Sequence, residues 1–268
     1  MPLDKFNRNI NYLRISVTDK CNLRCIYCMP ESGIKLKQHK DILSLEEIFD
    51  VVKYAVSIGI TKIRLTGGEP LIRKNIGFLV EKIGNLSGIK DFGMTTNGTL
   101  LTNTAQELKE KGLHRVNISL DSLNADRYRS ITRGGEIKEV INGINAAIKA
   151  GLTPVKLNVV LIPKWNEDER EQFLLFGQEH NVDIRFIRQM NLKCGSRHGI
   201  EGNTNVGICN YCNRLRLTCD GNLKPCLFSD YSANVRKFGI EKAFCMALAN
   251  KPETGLTNEK EFMYQIGG

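Results

Sequence analysis

The sequence predicts an α/β fold, a partial (β/α)6 barrel of the TIM type, and three observations carry that prediction. Six apolar, β-branched runs alternate with amphipathic helical stretches, the pattern of a parallel sheet with right-handed crossovers. Six repeats fall short of the eight that close a full barrel, so a partial barrel is preferred to a doubly wound open sheet. Residues with chemical potential fall just past the ends of the runs, where parallel βα folds gather function.

The strands are expected near 10–17, 61–66, 90–95, 114–120, 154–161 and 183–188, and the helices near 44–57, 75–84, 102–111, 136–150 and 167–179. The first helix opens on a capping box, Ser44 with Glu47 three residues on. Leu45, Ile48, Val51, Val52 and Ala55 then keep to one face. Ile137, Val140, Ile141, Ile144 and Ile148 repeat that spacing in the fourth helix. After Met190 the pattern changes. Asn191 to Gly207 contains four glycines and little periodicity, so it reads as a connecting loop. What remains is too short for a comfortable core of its own and should pack against the barrel, across its open side. The expected organisation is a barrel over 1–190 and a small extension over 191–268, with a helix from Glu241 to Ala249.

The 268 residues are 41% apolar and 25% charged, ordinary for a globular protein. No apolar run approaches bilayer thickness, and the N-terminus lacks the apolar core of a signal peptide, so a cytoplasmic location is expected, with no membrane partner. Nine cysteines then read as metal ligands or free thiols rather than a disulfide framework. A net charge of +9 favours an anionic partner. The basic residues form no dense tract, so a phosphate-bearing small molecule fits as well as nucleic acid.

Just past the first strand, Cys21, Cys25 and Cys28 form a Cys-x3-Cys-x2-Cys run with Tyr27 inside it. Three thiolates can hold a [4Fe–4S] cube by three corners and leave one iron open to a small chelating molecule. Other strand ends carry Thr66-Gly67-Gly68-Glu69-Pro70, Thr95-Thr96-Asn97-Gly98 and Ser119-Leu120-Asp121. Lys156 and Asn158 lie on the fifth strand, and Arg185 and Met190 belong to the sixth. Gly-Gly-Glu-Pro or Asn-Gly alone is an ordinary turn; their shared position is what singles them out.

A second set, Cys209-x2-Cys212-x13-Cys226, suits another cube or a structural zinc with Cys219 as fourth ligand. Arg214 and Arg216 between these cysteines share a face of an extended segment and could grip a triphosphate bidentately, or form a solvated basic edge. Cys194 and Cys245 read as free thiols; His39, His114, His180 and His198 show no ligand spacing, and Trp165 reads as packing.

With these residues assembled, the chain resembles the GTP 3',8-cyclase family of radical S-adenosylmethionine (SAM) enzymes, which opens molybdenum-cofactor biosynthesis. The resemblance runs from Arg14 to Met190, resumes from Cys209 to Phe228, and ends on Ile266-Gly267-Gly268. It implies two [4Fe–4S] clusters, one on Cys21, Cys25 and Cys28 with its open iron on SAM, the other on Cys209, Cys212 and Cys226 with its open iron on the guanine of GTP. Tyr27, Gly68, Ser119 and Met190 match SAM-contacting positions. Arg14, Arg64, Thr95, Lys156, Arg214 and Arg216 match the GTP site, Arg185 looks like another basic contributor, and Gly267 and Gly268 match catalytic positions alongside Arg14. The implied reaction is abstraction of the ribose 3'-hydrogen by a 5'-deoxyadenosyl radical and attack of C3' on guanine C8. A low-potential electron donor, hand-over to cyclic pyranopterin monophosphate synthase and a homodimer are implied too, and nucleic acid is not an expected partner. Two departures stand out. The stretches between Met190 and Cys209 and after Phe228 are short for the family, and Cys219 occupies a position that is usually a small non-ligating residue. A radical SAM peptide maturase and a metal-containing nucleic-acid-binding protein are the competing readings.

Overall fold

The computed structural model describes residues 2–190, 209–259 and Ile266. Its first part alternates strand and helix: β1 (Tyr12–Ser16), α1 (Leu45–Ser57), β2 (Lys62–Thr66), α2 (Ile76–Gly84), β3 (Asp91–Thr96), α3 (Ala105–Glu110), β4 (Arg115–Ser119), α4 (Ala125–Thr132), α5 (Ile137–Lys149), β5 (Lys156–Leu161), α6 (Arg170–His180) and β6 (Asp183–Arg188). The second part holds β7 (Arg214–Leu217), β8 (Asn222–Lys224), β9 (Ala233–Asn234), α7 (Val235–Phe238) and α8 (Ile240–Ala249).

Local chemistry accounts for the elements. At α1 both capping-box bonds form: Glu47 N–H donates to Ser44 Oγ at 3.1 Å, and Ser44 N–H donates to the Glu47 carboxylate at 2.7 Å. Ser44→Ala would cost about 1 kcal/mol there. Leu45, Ile48, Val51, Val52 and Ala55 are all buried, as their spacing requires. Two helices were not anticipated, α4 and the four-residue α7. Over α4 only Tyr128, Ile131 and Thr132 are buried, too few to make a periodic signal, and Asn124 caps its start by accepting from Arg127 N–H. The single tryptophan also departs from expectation: Trp165 is 40% exposed rather than packed.

The six parallel strands pair in chain order from β1 to β6, and β7 adds in parallel to the free edge of β1, followed by antiparallel β8 and β9. The C-terminal residues therefore extend the sheet at its first strand. Leu215, Leu217, Leu223, Ala243, Phe244 and Ala247 join the same apolar core as Leu13, Ile63, Met94, Val116 and Leu157. The sheet is strongly curled. Arg185 on β6 feels the charges of Arg64 on β2 and of Tyr12 on β1. Four or five flat strand spacings would separate them by about 19–24 Å, well beyond the roughly 10 Å over which charges act in salt.

Candidate active site

Along each strand the even-period alternation sends one set of side chains into the helix-covered core and the other onto the concave face. The parallel register places Arg14 beside Arg64 on one side and Arg216 on the other, with Tyr12 beside Lys62 and Arg214. Continuing around the sheet, Gly93 pairs with Arg115, Thr95 with Asn117, Asn117 with Lys156, and Asn158 with Arg185. Lys224 on β8 lies opposite Arg216. Among the described strand residues this face carries Arg14, Lys62, Arg64, Arg115, Lys156, Arg185, Arg214, Arg216 and Lys224, against the carboxylates Asp91 and Asp183 alone.

Those cations are crowded. Burial, then Arg14 and Arg214, bring the Arg216 guanidinium down to about 9. Arg14 and Arg185 are lowered too, chiefly by burial. Burial works to raise the Tyr12 phenol, but Arg14, Arg64 and Arg214 outweigh it and hold that phenol near 8. Asn117 braces the middle of the face: its Oδ1 accepts from Arg64 at 2.9 Å and from Arg115 at 3.0 Å. Arg115 in turn is held bidentately by Asp91 at 2.8 and 2.7 Å. The Nε of Arg64 is buried without a hydrogen-bond partner. A concave face so rich in repelling cations is built for a polyanion.

At the strands' C-terminal end the Cys21–Cys28 loop is pinned by its neighbours. Gly68 N–H donates to Thr18 O and Glu69 N–H to Lys20 O, both at 2.8 Å. A Cβ on Gly68 would lie 2.0 Å from Lys20 O, so only glycine admits this approach. Asn97 links to Asn22 at 2.8 Å, and Tyr27 OH donates to Asp121 at 2.7 Å. Arg24 and Ile26 N–H groups bond the end of α4, which explains that helix's place in the architecture. Buried Glu69 accepts from Thr96 Oγ1 and Asn97 N–H at 2.7 Å and from Leu71 N–H at 3.0 Å. Burial nevertheless raises its carboxyl to about 7.

The three thiols of this loop share a space. Burial raises each, and Cys25 is raised further by Asp121, Cys28 and Cys21; Cys28 is pushed up to about 12 by burial and then Cys21. Ionising all three beside Asp121 requires a positive group among them. A cluster held by three of its irons answers that requirement, so the donor set fits one.

The second set sits at the opposite end of the same sheet face. Cys209 and Cys212 precede β7, and Cys226 follows the antiparallel β8, so all lie at the start of β1 and β7. The five residues of β1 alone separate the two ends by about 16 Å. Burial acts to raise Cys212, but Lys251 and Arg214 bring it down to about 7, whereas burial leaves Cys226 raised. Among the described residues no three His, Cys, Asp or Glu side chains are placed to hold a single metal ion, in either cysteine set. Cys219 is fully buried past the far end of β7, raised to about 12 by burial, Asp19 and Asp220. It stands a strand's length from Cys212, so it is no fourth ligand.

Every anticipated cation, Arg14, Arg64, Lys156, Arg185, Arg214 and Arg216, lies on the concave face, with Thr95 among them. Tyr27, Gly68 and Ser119 lie at the Cys21–Cys28 end. Met190 packs against Leu227, Phe228 and Ile266. Gly267 and Gly268 lie outside the described residues, as do Cys194 and His198. Sequence reasoning missed Tyr12, Lys62, Arg115, Asn117 and Lys224. Strand parity was the available signal, since Lys62 sits two residues before Arg64 and Tyr12 two before Arg14.

The profile of the radical SAM superfamily matches residues 15–177. The chain belongs to that superfamily. A GTP 3',8-cyclase of Alkaliphilus oremlandii is 44% identical over 318 positions, covering 99% of each chain. One from Thermodesulfovibrio yellowstonii is 45% identical over 279 positions, covering 87% of each. Within radical SAM proteins the chain thus belongs to the GTP 3',8-cyclase family, and it is an enzyme. Membership brings SAM and an iron–sulfur cluster as cofactors. Among solved structures, SuiB of Streptococcus suis bound to SAM superposes with a TM-score of 0.70 over 94% of this chain and 66% of that one. At 16% identity that likeness supports the partial-barrel fold alone. Among the described residues no helix is long and apolar enough to cross a membrane.

Proposed function

We propose that this enzyme is a radical SAM GTP 3',8-cyclase, a lyase converting GTP to (8S)-3',8-cyclo-7,8-dihydroguanosine 5'-triphosphate for molybdenum-cofactor biosynthesis. The observation that carries the reading is the cationic concave face, bounded by one cysteine triad at each end. Cys21, Cys25 and Cys28 would hold the cluster that binds SAM, and Cys209, Cys212 and Cys226 a second one for the guanine. The chemistry supplied when the first cluster and SAM are bound is one-electron cleavage of the sulfonium, ending in removal of the ribose 3'-hydrogen.

The chain's own residues bind and orient. Arg14, Arg64, Arg185, Arg214 and Arg216 offer the triphosphate bidentate, charge-assisted donors, and Lys156, Lys62 and Arg115 add positive charge on the same face. Burial first, and then repulsion from neighbouring arginines, lowers Arg216 and Arg14, and a bound anion would offset both, so the site favours a highly charged ligand over a singly charged one. Tyr27, Gly68 and Ser119 would line the SAM end, Thr95 and the Gly267-Gly268 tail the ribose region. Residues 1–190 would form the barrel and 191–268 the cluster-bearing extension. The cations are gathered inside a curled sheet, where a duplex backbone has no access, and this disfavours a nucleic-acid binder. A low-potential electron donor, the downstream cyclic pyranopterin monophosphate synthase, a homodimer and a cytoplasmic location complete the reading.

Anaerobic incubation of the reconstituted protein with SAM, dithionite and GTP is expected to yield the 3',8-cyclo nucleotide. Release of 5'-deoxyadenosine with no GTP-derived product would refute the proposal.

A further inference from the structure

After α8 the chain turns back across the second cysteine set. Lys251 opens that turn and is 1% exposed, one of the largest fully buried side chains. Its Nζ donates to Cys212 Sγ at 3.4 Å, to Arg214 O at 2.8 Å and to Pro225 O at 2.7 Å. Three acceptors use all three N–H bonds of an ammonium. The negative charges it feels are those of Cys212 and Cys226. An interior cation left without an anion costs several kcal/mol. Such a lysine is maintained where a negative group belongs beside it.

The surroundings tighten the same joint. A Cβ on Gly255 would lie 2.6 Å from Cys226 Sγ, so the turn's backbone passes directly against the other thiol. Arg8 donates to Cys209 O at 2.8 Å, Glu253 O at 2.9 Å and Pro252 O at 2.6 Å, strapping the third cysteine's residue to the same turn. Lys251 thus bridges the arm entering β7, through Cys212 and Arg214, to the arm leaving β8, through Pro225.

We propose that Lys251 is a positioning residue of the second iron–sulfur site: its buried ammonium donates an N–H···S bond to Cys212 and shifts the bound cluster's reduction potential upward. The proposal rests on the reading that Cys209, Cys212 and Cys226 hold a cluster. A cation and an N–H donor at a ligand sulfur stabilise the more negative, reduced state. The shift is therefore toward easier reduction.

The test uses the full chain with Cys21, Cys25 and Cys28 all changed to Ser, which keeps only the second site and should bind about four irons. A redox titration followed by electron paramagnetic resonance gives the reduced-to-oxidised ratio at fixed potential. In that background Lys251→Met is expected to lower the ratio at least tenfold, about 59 mV for a one-electron couple, and Lys251→Arg to restore most of it. An unchanged ratio in Lys251→Met with full iron content overturns the proposal. Should Lys251→Met hold no iron, lysine labelled with 15N at Nζ in the unmutated Lys251 background is expected to give a 15N hyperfine coupling to the reduced cluster; its absence overturns the proposal. A background chain without iron overturns the reading of the second cysteine set itself, and the proposal with it.

Discussion

Glu69 offers a direct measure of what the loop around SAM's expected place demands of the fold. It is fully buried and accepts three hydrogen bonds from the ends of β2 and β3. Burial still wins over those donors and moves the carboxyl from 4.5 to about 7. Because the folded value lies above the unfolded one, the folded chain holds a proton that the unfolded chain has lost between those limits. Stability therefore falls as pH rises through that window, with no penalty below 4.5 and the full penalty above about 7. At about 1.36 kcal/mol per unit the full penalty is about 3 kcal/mol. Glu69→Gln imitates the protonated form and removes the titration. In urea unfolding of the cluster-free protein, wild type and variant should lie within about 1 kcal/mol of each other at pH 5. At pH 8 the variant should be the more stable by about 3 kcal/mol. A stability difference that is the same at both pH values would refute the reasoning, since it would mean that the three donors fully compensate the buried charge.

Asn117→Leu removes the acceptor shared by Arg64 and Arg115, and should weaken GTP binding about 10- to 100-fold in equilibrium dialysis while leaving SAM binding unchanged. Tyr27→Phe deletes the 2.7 Å bond to Asp121; it should raise the KM for SAM severalfold with little effect on that for GTP. Cys219→Ala should keep wild-type iron and sulfide content and activity, because the thiol is buried at the far end of β7 from Cys212. Tyr12 titrates near 8 in the fold instead of 10, so it adds stability above pH 10 that is lost as pH falls through about 8. Tyr12→Phe should abolish that gain of about 2–3 kcal/mol between pH 7.5 and 10 in urea melts.

The barrel was legible because its evidence is periodic and local. Alternating apolar runs locate β1 to β6 within a residue or two, and the Ser44 box fixes the start of α1. Both cysteine sets were legible from spacing. What escaped was set by partners distant in the chain. The helix α4 has few buried side chains of its own and exists to carry Thr132 and Ile131 carbonyls to the Arg24 and Ile26 amides. The joining of β7 to β1 depends on pairing Tyr12 with Arg214, some two hundred positions apart, and no local pattern announces it. Lys251 lies after a helix with nothing near it in sequence to suggest Cys212 as its partner.

The overall charge takes on meaning only in three dimensions. Read along the chain, the excess of 9 positive charges looks diffuse and would suit any anionic partner. Folded, the strand positions of one parity collect nine cations and two carboxylates on one concave surface. Nothing in folding calls for this, since burial lowers Arg14, Arg185 and Arg216 and their mutual repulsion adds to the strain. Apolar residues at those positions would make the sheet more stable. A fold that keeps so many like charges together suits a ligand that neutralises them, and the proposed triphosphate would do that, with its ribose lying between the phosphates and the base. The same geometry fixes the order of recognition. With the phosphates proposed to lie on these cations, a nucleoside lacking them should lose most of its affinity even though the reacting atoms are unchanged.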